Sequence, residues 1–377
     1  MGKPIYLDHH ATTPVDPQVL TAMLPYFSEY YGNPGSNHYY GWEVEAGINQ
    51  ARVAIAEAIN GTAEEIIFTS GATEANNLAI KGVAEANLTK GRHIVTVQTE
   101  HQAVLDPCRY LQTLGFEVTY LPVDALGRID LAQLRQVIRA DTVLVSVMAA
   151  NNEIGNLMPL TEIGQICSDA GVIFHSDAAQ AIGKIPLDVQ AMGIDLLGIS
   201  GHKLYGPKGI GALYVRRKLA IAPQLHGGGQ ERGLRAGTLY PPQIVGLGKA
   251  IQLALANLDQ EQQRIRQLRN QLWQGLEDLP GIQLNGDPDL RLAGNLNCSF
   301  EGIAPNRLAA GLRQTVALSS GSACSSGKVS HVLRALGRSP SLAQATLRFG
   351  IGRFNTEAEI AQVIVAVRAT VLGQGNF

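Results

Sequence analysis

The sequence predicts an α/β fold in which helices flank a mostly parallel central sheet, followed by a smaller α+β region. Short β-branched runs alternate with amphipathic stretches between residues 66 and 200, which is typical of repeated βαβ units. Past Pro242 this alternation gives way to one long polar–apolar stretch. Because 377 residues exceed the size at which a single hydrophobic core keeps growing, we also expect two closely packed domains.

Five runs are predicted to be strands of the central sheet. They occupy residues 66–69, 93–97, 142–148, 172–177 and 196–200. Their nearly continuous apolar character indicates strands that are buried on both faces. Between them, amphipathic stretches predict helices at 72–86, 131–139 and 160–170.

The second region begins with residues 244–279, which are rich in Gln, Leu and Arg and predict one extended helix or a helix with a break. Beyond it we expect strands at 295–300, 316–319 and 346–349, and helices at 306–313 and 356–371. The sequence therefore predicts a large α/β domain over 15–250, and a small α+β domain built from 1–14 and 251–377.

Composition points to a globular protein that acts on a small ligand. Apolar residues make up 45% of the chain and charged residues 16%, which permits a large core and gives no sign of disorder. A net charge of −2 without runs of Lys or Arg argues against nucleic-acid and membrane partners. No apolar export segment stands at the beginning, and no run of about 18 apolar residues predicts a membrane span. We therefore expect a cytoplasmic protein.

The four cysteines, Cys108, Cys167, Cys298 and Cys324, lie far apart without paired spacing. This spacing argues against a disulfide framework and a zinc site, and it favours a reducing compartment. The first three fall inside predicted helices or strands, so we expect them to be structural. Cys324 lies in a run of small residues over 319–327 that is too polar for a core strand, although a buried inert thiol is the usual state of a single cysteine.

Several ligand-binding motifs are absent. No stretch matches G-x-G-x-x-G, and Gly183-Lys184 is followed by Ile185 instead of the Ser or Thr of a P-loop. The tetrapeptide that begins at His226 resembles an oxyanion loop, but no G-x-S-x-G elbow accompanies it. Dinucleotide-binding, NTP-binding and hydrolase functions therefore lose support.

Polar residues instead follow the carboxyl ends of the predicted strands, where open α/β sheets bind ligands. After the first strand, a Gly-Ala-Thr turn within 70–74 opens a helix and offers free N–H groups and a positive dipole end to a phosphate. Asp177 directly follows an apolar run, where a buried carboxylate needs a positive partner such as a protonated pyridine nitrogen. An N-cap and a surface ion pair are the commoner roles of such residues taken singly.

Lys203 stands in a Ser-Gly-His-Lys segment that opens a glycine-rich turn after the fifth strand. A lysine partly desolvated there can react as an amine with an aldehyde, while Ser200 and His202 add phosphate contacts. His101 and Asn152 follow two further strands, where they can stack on a cofactor ring and bond a ring oxygen. A solvated loop lysine and satisfied structural polar groups are the alternatives, so the prediction depends on the convergence of several strand ends.

The sequence also resembles the cysteine desulfurases of the iron–sulfur cluster assembly type, which belong to the class V aminotransferase group with the fold type I architecture of pyridoxal-phosphate enzymes. The resemblance runs in order from about Tyr6 to Thr356. It is carried by the strings YLDHHATTP, NPGSNH, TSGATEANNLA, TEHQAV, NNEIG, HSDAAQ, SGHKLYGPKGIG, HGGGQERGLRAGT, SSGSACSSG and LRFGIGRFNT.

The resemblance implies a role for each matching residue toward pyridoxal 5'-phosphate. Lys203 forms a Schiff base with the cofactor, Asp177 pairs with the pyridine nitrogen, and His101 stacks on the ring. The phosphate is held by Ala72, Thr73, Ser200 and His202, with Thr238 reaching it from the second subunit of a homodimer. The ring hydroxyl is contacted by Asn152 and Gln180.

The resemblance also implies the substrate, L-cysteine. Arg348 matches the residue that clamps the substrate carboxylate, for which a bidentate guanidinium is suited, and Asn33 is expected near the same pocket. The thiolate of Cys324 attacks the sulfur of the bound cysteine, which leaves a persulfide on Cys324 and releases alanine. Sulfur-acceptor or iron–sulfur scaffold proteins are the implied partners, and Cys324 is the one candidate for a transient iron–sulfur ligand.

Two alternatives to a cysteine desulfurase stay open at the level of sequence. A related pyridoxal-phosphate enzyme, such as an aminotransferase or a selenocysteine lyase, would not need Cys324. A non-enzymatic sulfur carrier on the same scaffold would carry no visible chromophore.

Overall fold

The computed structural model describes residues 2–320 and 329–373. Its strands, in chain order, are β1 (Ile5–Tyr6), β2 (Ile66–Thr69), β3 (His93–Val97), β4 (Glu117–Leu121), β5 (Thr142–Ser146), β6 (Ile173–Asp177), β7 (Leu196–Ser200), β8 (Gly211–Val215), β9 (Ile282–Leu284), β10 (Asn295–Phe300), β11 (Val316–Ala317), β12 (Ser319–Ser320) and β13 (Thr346–Gly350). Its α-helices are α1 (Pro17–Met23), α2 (Pro25–Ser28), α3 (Tyr39–Glu57), α4 (Ala72–Ala86), α5 (Gln102–Thr113), α6 (Leu131–Val137), α7 (Leu160–Ala170), α8 (Pro241–Ala256), α9 (Leu258–Gln274), α10 (Pro305–Leu312), α11 (His331–Ala335), α12 (Pro340–Gln344) and α13 (Glu357–Leu372).

The central sheet has seven strands in the order β2-β8-β7-β6-β5-β3-β4. Neighbouring strands from β7 to β4 pair in parallel, while β8 pairs antiparallel with both β7 and β2. Because β2 is antiparallel to the one reversed strand, it runs in the same direction as the parallel strands. The predicted α/β fold with a mostly parallel sheet is confirmed, and six strands place their carboxyl ends at one edge.

The strands of this sheet are buried on both faces. Ile66 and Phe68 of β2 pack into one hydrophobic cluster, while Ile67 packs into the cluster on the opposite face, as the two-residue period of a strand requires. Every residue of β2, β3, β5, β7 and β8 is buried. The sheet therefore forms a rigid layer between two sets of helices.

A second, four-stranded sheet has the order β12-β13-β10-β9 and is antiparallel throughout. It packs with α9, α10 and α13 around a separate hydrophobic cluster that includes Phe300 and Phe349. The long stretch after Pro242 forms two helices, α8 and α9, which are separated at Asn257, where the backbone departs from helical angles. The exact domain boundaries, 15–250 against 1–14 and 251–377, stay a prediction.

Within the described residues, no helix is both long and apolar enough to cross a membrane.

A buried ion pair anchors the segment that leads into α8. The Glu231 carboxylate accepts hydrogen bonds from Arg52 at 2.6 and 3.0 Å and from the Phe68 N–H at 2.7 Å. Arg52 also lies over the Phe68 ring, 4.6 Å from its centroid. Glu231 adopts a φ of +46°, so these contacts hold a backbone conformation that is unfavourable for a residue with a side chain.

We expect Glu231→Ala to lower the free energy of unfolding by about 3 kcal/mol or more, because it leaves Arg52 buried without its charge partner. Equilibrium denaturation measures this loss. Glu64→Ala is the matched control, since its ion pair with Arg217 spans 3.9 Å and both side chains are about two-thirds exposed. An equal, small effect of both substitutions would contradict the anchoring role of Glu231.

Candidate active site

A cleft of about 590 Å³ opens at the carboxyl edge of the central sheet. It is lined by loops that follow β2, β3, β5, β6 and β7, by the segment after β1, and by Arg348 of β13. Ten of the predicted site residues meet in it: Ala72, Thr73, His101, Asn152, Asp177, Gln180, Ser200, His202, Lys203 and Arg348. Nine of them end or follow strands of the central sheet and span 131 positions of the sequence, from Ala72 to Lys203, because those strands share one direction, while Arg348 comes from the second sheet.

Lys203 ends a short 3₁₀ turn, Gly201–Lys203, that directly follows β7. Its Nζ donates hydrogen bonds to the backbone oxygens of His10 at 2.7 Å and Ala11 at 2.6 Å. The chain near these carbonyls is fixed to the same turn, since the Thr13 N–H donates to the His202 oxygen at 2.9 Å. The amine is therefore held at the wall of the cleft, where it is partly desolvated.

Asp177 is 5% exposed. Its Oδ2 accepts a hydrogen bond from Asn76 Nδ2 at 2.7 Å, and its Oδ1 accepts one from the Ala179 N–H at 2.9 Å. Gly198 of β7 leaves the space that Asn76 needs, because a Cβ at this glycine would lie 2.2 Å from Asn76 Oδ1. Both donors are neutral, and within the described part of the chain no cation forms an ion pair with this carboxylate, whose orientation the two hydrogen bonds fix.

The start of α4 forms the end of the cleft that is suited to a phosphate. Gly71 precedes the helix with a φ of +153°, and no side chain caps the helix start. The first-turn N–H groups of Ala72 and Thr73 are therefore available to an anion. A larger residue at position 71 would be strained at this φ.

His202 lines the same cleft as this helix start. Burial and the nearby positive charges of Lys203 and Lys208 lower the pKa of His202 to about 4. The ring is therefore neutral near pH 7 and offers a hydrogen bond instead of a charge. Its Nδ1 lies 3.1 Å from Thr12 Oγ1, which fixes the ring orientation.

His101 caps α5, and its Nδ1 accepts a hydrogen bond from the Ala103 N–H at 3.1 Å. Because Nδ1 accepts, the proton of the neutral ring is on Nε2. The cap thus fixes both the position of the ring on the cleft wall and its tautomer.

Arg348 is almost fully buried, with 3% exposure. Its Nη1 donates to the Asn152 backbone oxygen at 3.0 Å, and its Nη2 donates to Asp8 Oδ1 at 3.0 Å and to Ser319 Oγ at 3.1 Å. Within the described residues its Nε has no hydrogen-bond partner. The guanidinium is therefore held rigidly where Arg348 lines the cleft, and its fixed positive charge suits a ligand carboxylate.

Sequence reasoning missed the residues that hold the predicted ones in place. Asn76 orients Asp177, and Asp8 orients Arg348. Both stand inside strings that carry the family resemblance, but neither follows a strand end of the central sheet. Glu153 was also missed: burial raises its pKa to about 7, although Ser330 Oγ donates a hydrogen bond to it at 2.5 Å.

Two of the predicted residues line a different pocket of the same chain. Asn33 and Thr238 line a separate surface pocket of about 300 Å³ together with Tyr26, Phe27 and Tyr240. The expectation that Asn33 lies near the same pocket is therefore not met within one chain. Cys324 lies outside the described residues.

The other three cysteines, Cys108, Cys167 and Cys298, are free and buried. Burial raises the pKa of each thiol to about 12, so none of them is a ready nucleophile. This agrees with the structural role predicted for them. The described part of the chain contains no cluster of His, Cys, Asp and Glu suited to a metal ion.

Comparison with known proteins gives one consistent family. Residues 5–363 match the family model of class-V aminotransferases. The chain is 54% identical over 364 residues to a mouse cysteine desulfurase, which covers 95% of this chain and 79% of the mouse protein. It is 51% identical to the cysteine desulfurase IscS of Methylobacillus flagellatus, with coverage of 98% and 92%.

Solved structures agree with this result. A NifS-like protein superposes with a TM-score of 0.92 at 37% identity, covering 99% of this chain and all of that one. The structure of SspA in complex with cysteine superposes with a TM-score of 0.83 at 38% identity, covering 94% of this chain and all of SspA. The chain therefore belongs to the class-V aminotransferase family and, within it, to the cysteine desulfurases.

Proposed function

We propose that this protein is a pyridoxal-phosphate-dependent cysteine desulfurase that converts L-cysteine to L-alanine and leaves the sulfur as a persulfide on Cys324. The observation that carries the proposal is the cleft itself, in which Lys203, Asp177, His101 and Arg348 converge. The family membership and the cysteine bound to the related SspA structure support the same substrate.

The cleft residues fit pyridoxal 5'-phosphate. The uncapped start of α4 with Ser200 and neutral His202 suits the phosphate, and the buried carboxylate of Asp177 suits a protonated ring nitrogen. Asn152 and Gln180 suit the ring hydroxyl, and Lys203 supplies the amine that links to the aldehyde. When bound, the cofactor supplies an electron sink that activates the amino acid attached to it.

Asp177, His101 and Lys203 each have a separate role in the proposed reaction. With the cofactor bound, Asp177, held by Asn76 and the Ala179 N–H, would present its carboxylate to the ring nitrogen. His101, oriented by its bond to the Ala103 N–H, would stack on the ring and hold a proton on Nε2. Lys203 would hold the cofactor through Nζ and would supply this amine as a base.

Arg348 binds the substrate carboxylate in this proposal. Asp8 and Ser319 hold Nη2, the Asn152 oxygen holds Nη1, and the side chain lines the cleft. A buried guanidinium that is already oriented loses little entropy when it binds a carboxylate.

The proposed sulfur transfer needs no external oxidant or reductant. The Cys324 thiolate attacks the substrate sulfur, so that an S–S bond forms and the carbon–sulfur bond breaks with its electron pair on carbon. That carbon is then protonated, and the products are alanine and the Cys324 persulfide. The persulfide passes to sulfur-acceptor or iron–sulfur scaffold proteins, and Cys324 stays our candidate for a transient cluster ligand.

We also propose a homodimer. The pocket that holds Asn33 and Thr238 lies within a surface rich in aromatic side chains that are at least half exposed, and such patches mark interaction sites. Its members are Phe27, Tyr31, Tyr39, Tyr40, Trp42 and Tyr240. In a dimer formed through this surface, Thr238 and Asn33 serve the partner's cleft. The free buried thiols favour a reducing compartment, for which we propose the cytoplasm.

Lys203→Ala should abolish the visible absorbance that develops when the chain is supplied with pyridoxal phosphate, because the covalent link to the aldehyde is lost. Borohydride should fix the cofactor to the native chain and leave Lys203→Ala unlabelled, as checked by mass spectrometry. Lys208→Ala, in the same glycine-rich turn, is the matched control and should keep the covalent link. An unchanged absorbance band in Lys203→Ala would refute the assignment of this lysine.

Cys324→Ser should keep the visible absorbance but lose at least about a hundredfold in the rate of alanine formation from cysteine, since the sulfur acceptor is removed. Alanine and sulfide are measured under a reductant. Cys167→Ser is the matched control, because that thiol is buried and not a ready nucleophile. Full sulfur release by Cys324→Ser would instead favour a lyase or aminotransferase reaction that does not need this cysteine.

A further inference from the structure

Tyr205, two residues after Lys203, combines a strained backbone with a buried phenol ring. Its φ of +65° lies in the left-handed region, which a bulky side chain rarely adopts, and the residue is only 6% exposed. Strain of this kind persists only where the surrounding contacts hold it, and it is concentrated at functional sites. None of the roles described above uses Tyr205.

Both backbone polar groups of Tyr205 are bonded to the segment that follows β1. The Tyr205 N–H donates to Thr13 Oγ1 at 2.8 Å, and the Tyr205 carbonyl oxygen accepts a hydrogen bond from the Asp16 N–H at 2.9 Å. The same segment supplies the two backbone oxygens that accept hydrogen bonds from the Lys203 amine. The strained residue and the lysine are therefore attached to one stretch of backbone.

The side chain of Tyr205 reaches the loop that follows β13, the strand that carries Arg348. The Tyr205 hydroxyl oxygen accepts a hydrogen bond from the Arg353 N–H, and the Arg353 guanidinium lies over the phenol ring, 4.4 Å from its centroid. Gly352 permits this close approach, because a Cβ there would overlap the phenol hydroxyl. The phenol thus packs against the backbone directly beyond the end of β13 at Gly350.

Arg353 is itself held in place by two carboxylates. Its Nη1 lies 2.8 Å from Asp16 Oδ2, and its Nε lies 2.6 Å from Glu261 Oε2. Asp16 therefore bonds to Tyr205 through its backbone and to Arg353 through its side chain. These contacts fix both sides of the connection, which joins the turn that carries Lys203 to the sheet that carries Arg348.

An amino acid that is bound at both ends needs a fixed distance between the two groups that bind it. In the proposed function its amine end is bound where Lys203 holds the cofactor, and its carboxylate is bound by Arg348. Lys203 follows a strand of the central sheet, whereas Arg348 belongs to the second sheet, so the side chains that join the sheets set this distance. A misplacement of about 1 Å can cost about a hundredfold in rate.

We propose that Tyr205 is a positioning residue that fixes the turn of Lys203 relative to β13, so that one amino acid reaches both the cofactor and Arg348. This inference rests on the proposed function of Lys203 and Arg348. It assigns to Tyr205 a role in specificity: the residue favours amines that carry a carboxylate and has little influence on amines that lack one.

The test compares L-alanine, the proposed product, with L-alaninamide, in which a neutral amide replaces the carboxylate. Each is titrated into the full chain loaded with pyridoxal phosphate, and the change in visible absorbance gives the concentration for half saturation. Because Tyr205→Phe removes the bond to the β13 loop, it should raise this concentration about tenfold for L-alanine and less than about twofold for L-alaninamide. Tyr120→Phe, which removes a hydroxyl bonded to Gln112 at 3.0 Å, is the control and should change neither.

Gly352→Ala gives an independent check, because the added methyl group displaces the phenol while Tyr205 itself is kept. It should show the same selective loss for L-alanine, and circular dichroism confirms that each variant is folded. Unchanged binding of L-alanine by Tyr205→Phe, or an equal loss for both ligands in either variant, overturns the inference. Failure of the proposed function is distinct, because the native chain would then develop no absorbance or would not prefer L-alanine to L-alaninamide.

Discussion

The common direction of six strands is the constraint on which the site depends. Because β2 is antiparallel to the single reversed strand β8, its carboxyl end joins those of the parallel strands at one edge. That edge receives the start of α4, His101, Asp177 and Lys203 from four different loops. A buried, rigid sheet holds these groups at fixed separations, which a flexible cleft would not do.

The segment after β1 connects this edge to the second sheet. Its backbone accepts the Lys203 amine through His10 and Ala11, and Thr13 bonds to the turn that carries Lys203. On its other side, the Gly350 N–H donates to the Leu7 oxygen, and Asp8 holds Arg348. One short stretch therefore sets the distance between the amine that binds the cofactor and the guanidinium that binds the substrate carboxylate.

The sequence was sufficient to predict helices and strands whose hydrophobic pattern is strong. The strand at 66–69 and the helices at 72–86 and 160–170 agree residue for residue, and the strand predicted at 142–148 ends at Ser146. Two strands of the central sheet, β4 and β8, were not predicted. The reversed direction of β8 has no sequence signal, because a buried antiparallel strand has the same apolar character as a parallel one. The sequence after Pro242 does not distinguish one extended helix from a helix with a break. The break at Asn257 goes with the packing of α8 and α9 into two different hydrophobic clusters.

The site was predictable where a functional residue follows a strand end, as for Asp177 and Lys203. Residues that act through others, such as Asn76 and Asp8, carry no such signal, because their positions are defined by three-dimensional packing. Asn33 and Thr238 are a different case: α2, the segment after it and the segment before α8 place them in a pocket of their own, so a role at a cleft depends on a second subunit and stays a prediction.

The central claim is that sulfur moves from cysteine to Cys324, and one measurement tests it directly. The full chain, loaded with pyridoxal phosphate, is given a stoichiometric amount of L-cysteine without reductant, and the peptide that contains Cys324 is analysed by mass spectrometry alongside the free amino acids. The account predicts one added sulfur atom on Cys324 and an equal amount of alanine. Alanine formed while Cys324 stays unmodified, or added sulfur confined to another cysteine, would contradict it.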